Sequence, residues 1–196
     1  MQQKKFSGFL VGGAILLILI IWIITSYNSL VKKQEKLKQQ WSEVQNTYQR
    51  RLDLIPNLVN VVKGVSDFEK STLEQIAEAR SKALAGLSDN EISSTNYQKQ
   101  QQLQDNLAAS ANRIIVLIEK YPTLKGTAAY SGLQTQLEGT ERRIRVARND
   151  FNEAVANYNK KVRSFPTNVV AGVFGFKEKE GFEAVAGSDK AVEIKL

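Results

Sequence analysis

Two carboxylate pairs stand at helical spacing in this chain, Glu74 with Glu78 and Glu138 with Glu141. Paired carboxylates are the raw material of acid–base and two-metal centres in helical proteins. The remainder of such a centre is missing. A helical two-metal site completes its glutamates with histidines three residues on, and this sequence has no histidine and no cysteine. Thiolate metal sites, cysteine nucleophiles, disulfides and the imidazole base go with them. No glycine-rich loop leads from a strand into a helix to cradle phosphate, since Gly172 and Gly175 follow no strand pattern. Serines and lysines are plentiful but stand in no ordered arrangement. The carboxylate pairs therefore read as surface charges. The sequence assigns no catalytic, cofactor-binding or metal-ligating residue, and the chain is expected not to be an enzyme.

The formal charge is +7, a mild basic excess that permits contact with anionic lipid or polymer without requiring it. Arg142, Arg143, Arg145 and Arg148 form a basic run, but arginines packed into two turns describe a solvated face. Nucleic-acid binding wants a wider basic stripe or aromatic rings exposed for stacking. Here the aromatic residues fall on an apolar seam, so nucleic acid is not an expected partner.

The element that must position everything else is N-terminal. From Phe6 to Tyr27 there is no charged residue, and ~22 residues of helix span roughly 33 Å against a hydrocarbon core of about 30 Å. Phe6, Phe9, Leu10, Ile15, Leu16, Leu17, Ile18, Leu19, Ile20, Ile21, Trp22, Ile23 and Ile24 are the expected membrane-spanning residues. Trp22 and Tyr27 lie where amphipathic rings prefer the headgroup level, and Lys4 and Lys5 flank the other end. A cleaved secretory signal competes with this reading, but its apolar core is shorter and ends at a small-x-small site. Lys32, Lys33, Lys36 and Lys38 follow the span, which by the lysine and arginine count leans the bulk of the chain to the cytoplasm.

Beyond the span, Leu30, Leu37, Trp41, Val44, Tyr48, Leu52, Ile55, Val59 and Val62 fall mostly three or four residues apart, the signature of a helix with one buried face. No breaker separates this helix from the span. Pro56 removes the hydrogen bond to the Leu52 carbonyl, which predicts a kink rather than a stop. Ser66 to Glu69 has capping-box spacing, predicting a second helix through Leu73, Ile76, Ala79 and Ala83, with Gly86 at its C-terminus. One unbroken rod through Gly64 is the alternative. Residues 87–96 read as a polar connection. A third helix follows on Leu103, Leu107, Ala111, Ile114, Ile118 and Tyr121, closed by Pro122, with Gln98, Gln100, Gln101, Gln102 and Gln104 as a solvated face. Thr127 can cap a long fourth helix whose Leu137, Ile144, Phe151, Tyr158 and Phe165 repeat every seven residues, the pattern of near-parallel packing. Asn57, Asn60, Asn149, Asn152, Asn157 and Asn159 crowd onto these helices. Interhelical hydrogen bonds that fix register are the favoured explanation, and a subunit interface the other.

Four helices alternating up and down return the fourth to the membrane. Lys160, Lys161 and Arg163 would then join Lys32, Lys33, Lys36 and Lys38 as a juxtamembrane basic collar, with the apolar stretch 169–176 at the interface. Three helices would instead put that stretch at the far end.

Two stretches resemble the bacterial LemA family. The first is Gln49 to Val59 with Lys63 and Gly64, carrying Arg51, Asp53, Leu54, Ile55, Pro56, Asn57, Leu58 and Val59. The second runs from Ala147 to Val155, with Arg148 and Asn152, and on to Tyr158, Asn159, Phe165 and Pro166. Tyr27 to Val31, Glu119 to Pro122 and Glu141 also match, and Phe151 stands where the family commonly has tyrosine. The resemblance implies a single-pass protein of the bacterial cytoplasmic membrane with a helical-bundle domain, a short N-terminus outside and the bulk inside. It supplies no catalytic residues.

The expected fold class is all-α, a transmembrane helix continuing into an antiparallel four-helix bundle with long helices. The expected organisation is tail and span over residues 1–27, bundle over 28–166 and an irregular tail over 167–196. The expected function is a non-enzymatic, membrane-anchored scaffold that self-associates, with the lipid bilayer, further copies and other membrane or surface proteins as partners. A signalling module working through the Pro56-kinked helix is the alternative.

Overall fold

The computed structural model describes residues 2–63, 70–87 and 93–182. Among them the chain forms helices and no strand: α1 (Gln2–Lys63), α2 (Lys70–Leu87), α3 (Ser94–Ile118), the single turn α4 (Pro122–Lys125), α5 (Ala128–Arg163) and α6 (Thr167–Phe174). The protein is all-α, and the apolar N-terminal run continues without interruption into the amphipathic part of α1. Two compact units divide the chain, one of Glu153–Lys179 with α1 up to Gln40, the other of Trp41–Asn152 with the described residues from Glu180.

The second unit is the bundle. Leu52, Ile55, Leu58 and Val62 of α1, Ile76 and Ala83 of α2, Leu107, Ala111, Ile114 and Ile118 of α3, and Tyr130, Leu133 and Leu137 of α5 share one core. These are the apolar positions that recur every three or four residues, so burying them aligns the four helices. Cross-helix contacts give the directions. Arg80 meets Leu52 while α1 ends at Lys63 and α2 begins at Lys70, so those two run antiparallel. Arg113 meets Gln75 and Leu103 lies against Gly86, so α2 and α3 do too. Trp41 meets Tyr97 and Arg51 meets Gln104, setting α3 parallel to α1, whereas Trp41 with Phe151 and Arg51 with Glu141 set α5 antiparallel. The topology is up-down-up-down.

Ser93 caps α3, its side chain accepting from the Asn96 N–H, so that helix begins inside the stretch read as a connection. Thr127 caps α5 as expected, accepting from the Tyr130 N–H at 3.2 Å. The expected capping box at Ser66 to Glu69 lies outside the described residues. Gly86 falls within the last turn of α2 rather than beyond it, where a Cβ would come within 2.6 Å of Leu103 Cδ1. Its smallness lets α2 and α3 approach.

Pro56 lies inside α1 and does not end it. The carbonyl that a proline at this position leaves without its helical partner is that of Leu52, and Arg80 Nε of α2 donates to that oxygen at 3.1 Å. A side chain from the neighbouring helix replaces the missing N–H.

In the first unit, Leu30 of α1 is buried against Val170 and Ala171 of α6, with Trp22, Val162 and Phe176 packed around them. Residues 167–174, expected to be irregular, are helical. Valine and glycine are poor helix formers and an eight-residue helix is too short to stand alone in water. Packing against α1 supplies what propensity lacks. The helix ends on Gly175 at φ 75, the left-handed conformation that favours glycine, with the Phe176 N–H donating to the Ala171 carbonyl at 2.9 Å.

Arg80→Met is expected to lower stability by about 1–3 kcal/mol, since it strands the Leu52 carbonyl. In a Pro56→Ala background residue 56 regains its N–H, and the same substitution should then cost clearly less. Urea unfolding of the solubilised full chain, followed by circular dichroism, reads the coupling; strictly additive losses would show that Arg80 does not serve that carbonyl.

Candidate functional site

Arg51 lies three residues after Tyr48 and seven after Val44, on the face of α1 that the bundle buries. It is 3 % exposed. A guanidinium withdrawn from water must find acceptors, and here they come from two helices. Nη1 donates to the Gln104 backbone carbonyl at 3.0 Å and to its Oε1 at 3.2 Å. Nη2 donates to Glu141 Oε2 of α5 at 2.5 Å. One side chain thus ties α1 to α3 and α5. Gln100 and Gln104, expected on a solvated face, are each 1 % exposed; Gln104 turns inward as an acceptor for Arg51, and Gln100 donates to Asn96 Oδ1 at 3.2 Å. Glu141, expected as a surface charge, is half exposed but carries the ion pair.

Beside Arg51 opens a groove of about 550 Å³, lined by Tyr48, Asp105, Glu141, Arg145, Arg148 and Asn152 among others. Three guanidinium groups face two carboxylates, so its field is mixed with a cationic lean. The Tyr48 hydroxyl is buried and has no hydrogen-bonding partner among the described residues. Burial pushes its pKa up to about 12, against the opposing pull of Arg148 and Arg51. Burial likewise raises Tyr97, Tyr130 and Tyr158. Phenols held neutral beside guanidinium groups can orient and bind but offer no base. Among the described residues no group of three or more His, Cys, Asp or Glu side chains could hold a metal ion.

One end of the groove is closed by aromatic rings. Trp41, Tyr97, Phe151 and Phe182 each lie within 6 Å of the other three, centroid to centroid, with the closest pair, Trp41 and Tyr97, at 4.5 Å. The Arg148 guanidinium covers the outer face of Phe182 at 4.6 Å, a cation–π contact. Arg148 therefore does not belong with the solvated Arg142, Arg143 and Arg145.

Phe182 is held there by its main chain. Asn152 Nδ2 donates to the Phe182 carbonyl at 3.1 Å while the Phe182 N–H donates to Asn152 Oδ1 at 2.8 Å. Asn159 does the same for Lys179, at 2.7 and 2.9 Å. Each side-chain amide pairs with both main-chain groups of one residue, as a strand would. Seven residues of helix rise about 10.5 Å and three residues of extended chain cover about 10 Å, so the asparagines stand at the interval the segment repeats. The interhelical role expected for these asparagines is thus replaced by a grip on the chain beyond α6; Asn57 and Asn60 are exposed. Gly181 passes so close that a Cβ would lie 2.5 Å from Asn152 Oδ1.

The LemA family profile matches residues 40–196, a span that includes Arg51, Glu141, both asparagines and the segment they hold. The chain belongs to the LemA family. Relatives include magnetosome protein MamQ 2 of Paramagnetospirillum magneticum, 24% identical over 88% of this chain and 70% of that protein. Magnetosome protein MamQ of Magnetospirillum gryphiswaldense is 26% identical over the same shares. Protein LemA of Metamycoplasma hominis is 26% identical over 74% of this chain and 63% of its own.

The residues that carry the LemA resemblance divide by position. Leu54, Ile55, Leu58 and Tyr158 are buried, Val59 packs on the core, and Asp53, Pro56 and Asn57 are exposed, Asp53 accepting from Gln49 Nε2 at 2.8 Å. Pro166 precedes α6, and Phe165 is 84 % exposed. Lys160, Lys161 and Arg163 occupy the last turn of α5; Arg163 reaches Glu178 at 3.8 Å, and Lys38 pairs with Glu35 at 2.7 Å. Sequence reasoning missed Arg80, Tyr97 and Gln104. Arg51 carried a readable signal, since a charge in the apolar register demands a buried partner.

Above pH 10 the unfolded chain releases the Tyr48 proton while the folded chain keeps it up to about pH 12. The folded state then binds more protons, so stability falls as pH rises through that window. Tyr48→Phe is expected to flatten part of this decline in urea titrations across alkaline pH. Asn152→Ala should speed amide exchange at Phe182 roughly fivefold, for about 1 kcal/mol of lost hydrogen bonding, while the Lys179 amide stays protected by Asn159. Equal exposure of both amides would show that the segment is held some other way.

Proposed function

We propose that this LemA-family protein is a non-enzymatic, membrane-anchored helical scaffold that self-associates at the membrane surface. The observation that carries the reading is the continuity of α1. Its apolar run is long and apolar enough to cross a membrane. The side chains of Ile15 to Ile21, Ile23 and Ile24 are between 38 % and 65 % exposed. A helix apolar on every side and uncovered by protein is matched to lipid. The same helix then supplies Trp41, Tyr48, Arg51 and the core leucines of the bundle, so the anchor and the domain share one continuous helix. The bulk of the chain lies on the cytoplasmic face of the bacterial inner membrane in this reading, supported by the lysines after the run. The magnetosome proteins among the relatives fit membrane association.

Two further observations favour a scaffold over a signalling module. A signalling rod needs a hinge at Pro56, yet the carbonyl freed there is taken up by Arg80, which makes the proline part of a fixed junction. The groove beside Arg51 offers charges and neutral phenols, which suit recognition of a partner's polar groups.

Cell fractionation with alkaline extraction should leave the full chain in the membrane pellet, and light scattering of the detergent-solubilised protein should give a mass above the monomer across concentration. Release into the soluble fraction would overturn the anchor; a monomer at all concentrations would overturn self-association.

A further inference from the structure

We propose that α6 is a second membrane contact, a short helix lying in the interface of the bilayer that α1 enters, with Phe165, Val169, Val173 and Phe174 embedded in lipid. This rests on the reading of α1 as a membrane span.

The segment from Phe165 to Phe176 carries no charge. One face of α6 is spent on protein: Thr167, Val170 and Ala171 are buried, the last two against Leu30. The opposite face is equally apolar and has no cover. Val169 and Val173, four residues apart in α6 and so on one stripe, are 56 % and 75 % exposed, Phe174 is half exposed, and Phe165, in the turn just before the helix, is 84 % exposed. A helix that is apolar on both faces while packing with only one is incompletely partnered.

Its position says what covers the other. The ring of Phe174 meets Tyr27 at 5.0 Å and that of Phe176 meets the same tyrosine at 5.6 Å, both edge to face. Trp22 packs on the Leu30, Val170 and Ala171 cluster. Along α1, therefore, α6 sits between Trp22 and Leu30, at the end of the isoleucine run and before the first charge at Lys32. That is the level of the headgroup boundary, where tryptophan and tyrosine rings gather. Cations bracket α6: Lys160 and Lys161 before, Lys177 after, and Lys32 and Lys33 across on α1, none of them in an ion pair among the described residues. A short apolar helix flanked by lysines binds an anionic leaflet by buried area and charge together.

The absence of cysteine permits single-site labels. The full chain is reconstituted in vesicles of phosphatidylethanolamine and phosphatidylglycerol with an environment-sensitive fluorophore on Val173→Cys, Ile20→Cys or Val146→Cys, the last being an exposed position of the bundle. The label at 173 is expected to show a blue-shifted emission, strong quenching by lipids carrying a shallow nitroxide, and iodide quenching several-fold weaker than at 146. Iodide quenching at 173 equal to that at 146, with position 20 protected, overturns the interfacial helix and leaves the anchor standing. Position 20 open to iodide overturns the anchor itself. Protection at 173 without nitroxide quenching, accompanied by energy transfer between labels on separate chains, assigns the stripe to a second copy and overturns the proposal. Val169→Lys with Val173→Lys, checked for retained helicity, should abolish the nitroxide quenching of a label at Phe165→Cys.

Discussion

A positive charge sealed inside the bundle governs how its helices pair. The Arg51 guanidinium cannot reach water, so the fold must bring acceptors to it. The Gln104 carbonyl and amide oxygens come from α3 and the Glu141 carboxylate from α5. An apolar seam alone tolerates slips of one turn, because leucine fits leucine almost anywhere along it. A guanidinium with three oxygens to meet does not, and its fork geometry sets one register for three helices at once. Glu141 keeps part of its surface in water, which lowers the desolvation penalty of the pair.

The same logic runs through the other polar features. Proline in α1 frees a carbonyl and Arg80 occupies it. The main chain beyond α6 leaves helical structure, and two asparagines stand in for a neighbouring strand. The Tyr48 and Tyr97 hydroxyls have no such partner among the described residues, and the Tyr97 ring packs instead among Trp41, Phe151 and Phe182. Polar groups fix the arrangement and rings supply much of the cohesion.

How much of this was readable depended on whether the signal was local. The run from Phe6 to Tyr27, the spacing along α1 and the seven-residue repeat of α5 are properties of a single helix, and they predicted an all-α chain with a continuous first helix. The Leu52 carbonyl was identifiable as the one Pro56 would free, but its partner lies 28 residues on in sequence, and nothing in Arg80 distinguishes it from other arginines. Gln100 and Gln104 misled because glutamine is common on surfaces, and for Gln104 the reason to turn inward is a charge arriving from another helix. The helix α6 was hidden because its composition opposes helix formation and a tertiary contact with Leu30 reverses the balance. Asn152 and Asn159 stood out by their number; their partners, being backbone, leave no mark in the sequence.

That last point bears on how the protein can change. An amide that grips peptide groups is blind to what the gripped residues carry. Lys177, Glu178 and Glu180 could exchange charge, length or polarity while the asparagines of α5 kept their hold, so this stretch can be retuned for new neighbours at little structural risk. Gly181 is the exception, a fixed point in an otherwise rewritable line, because there the thread and the hand that holds it leave no space for a methyl group.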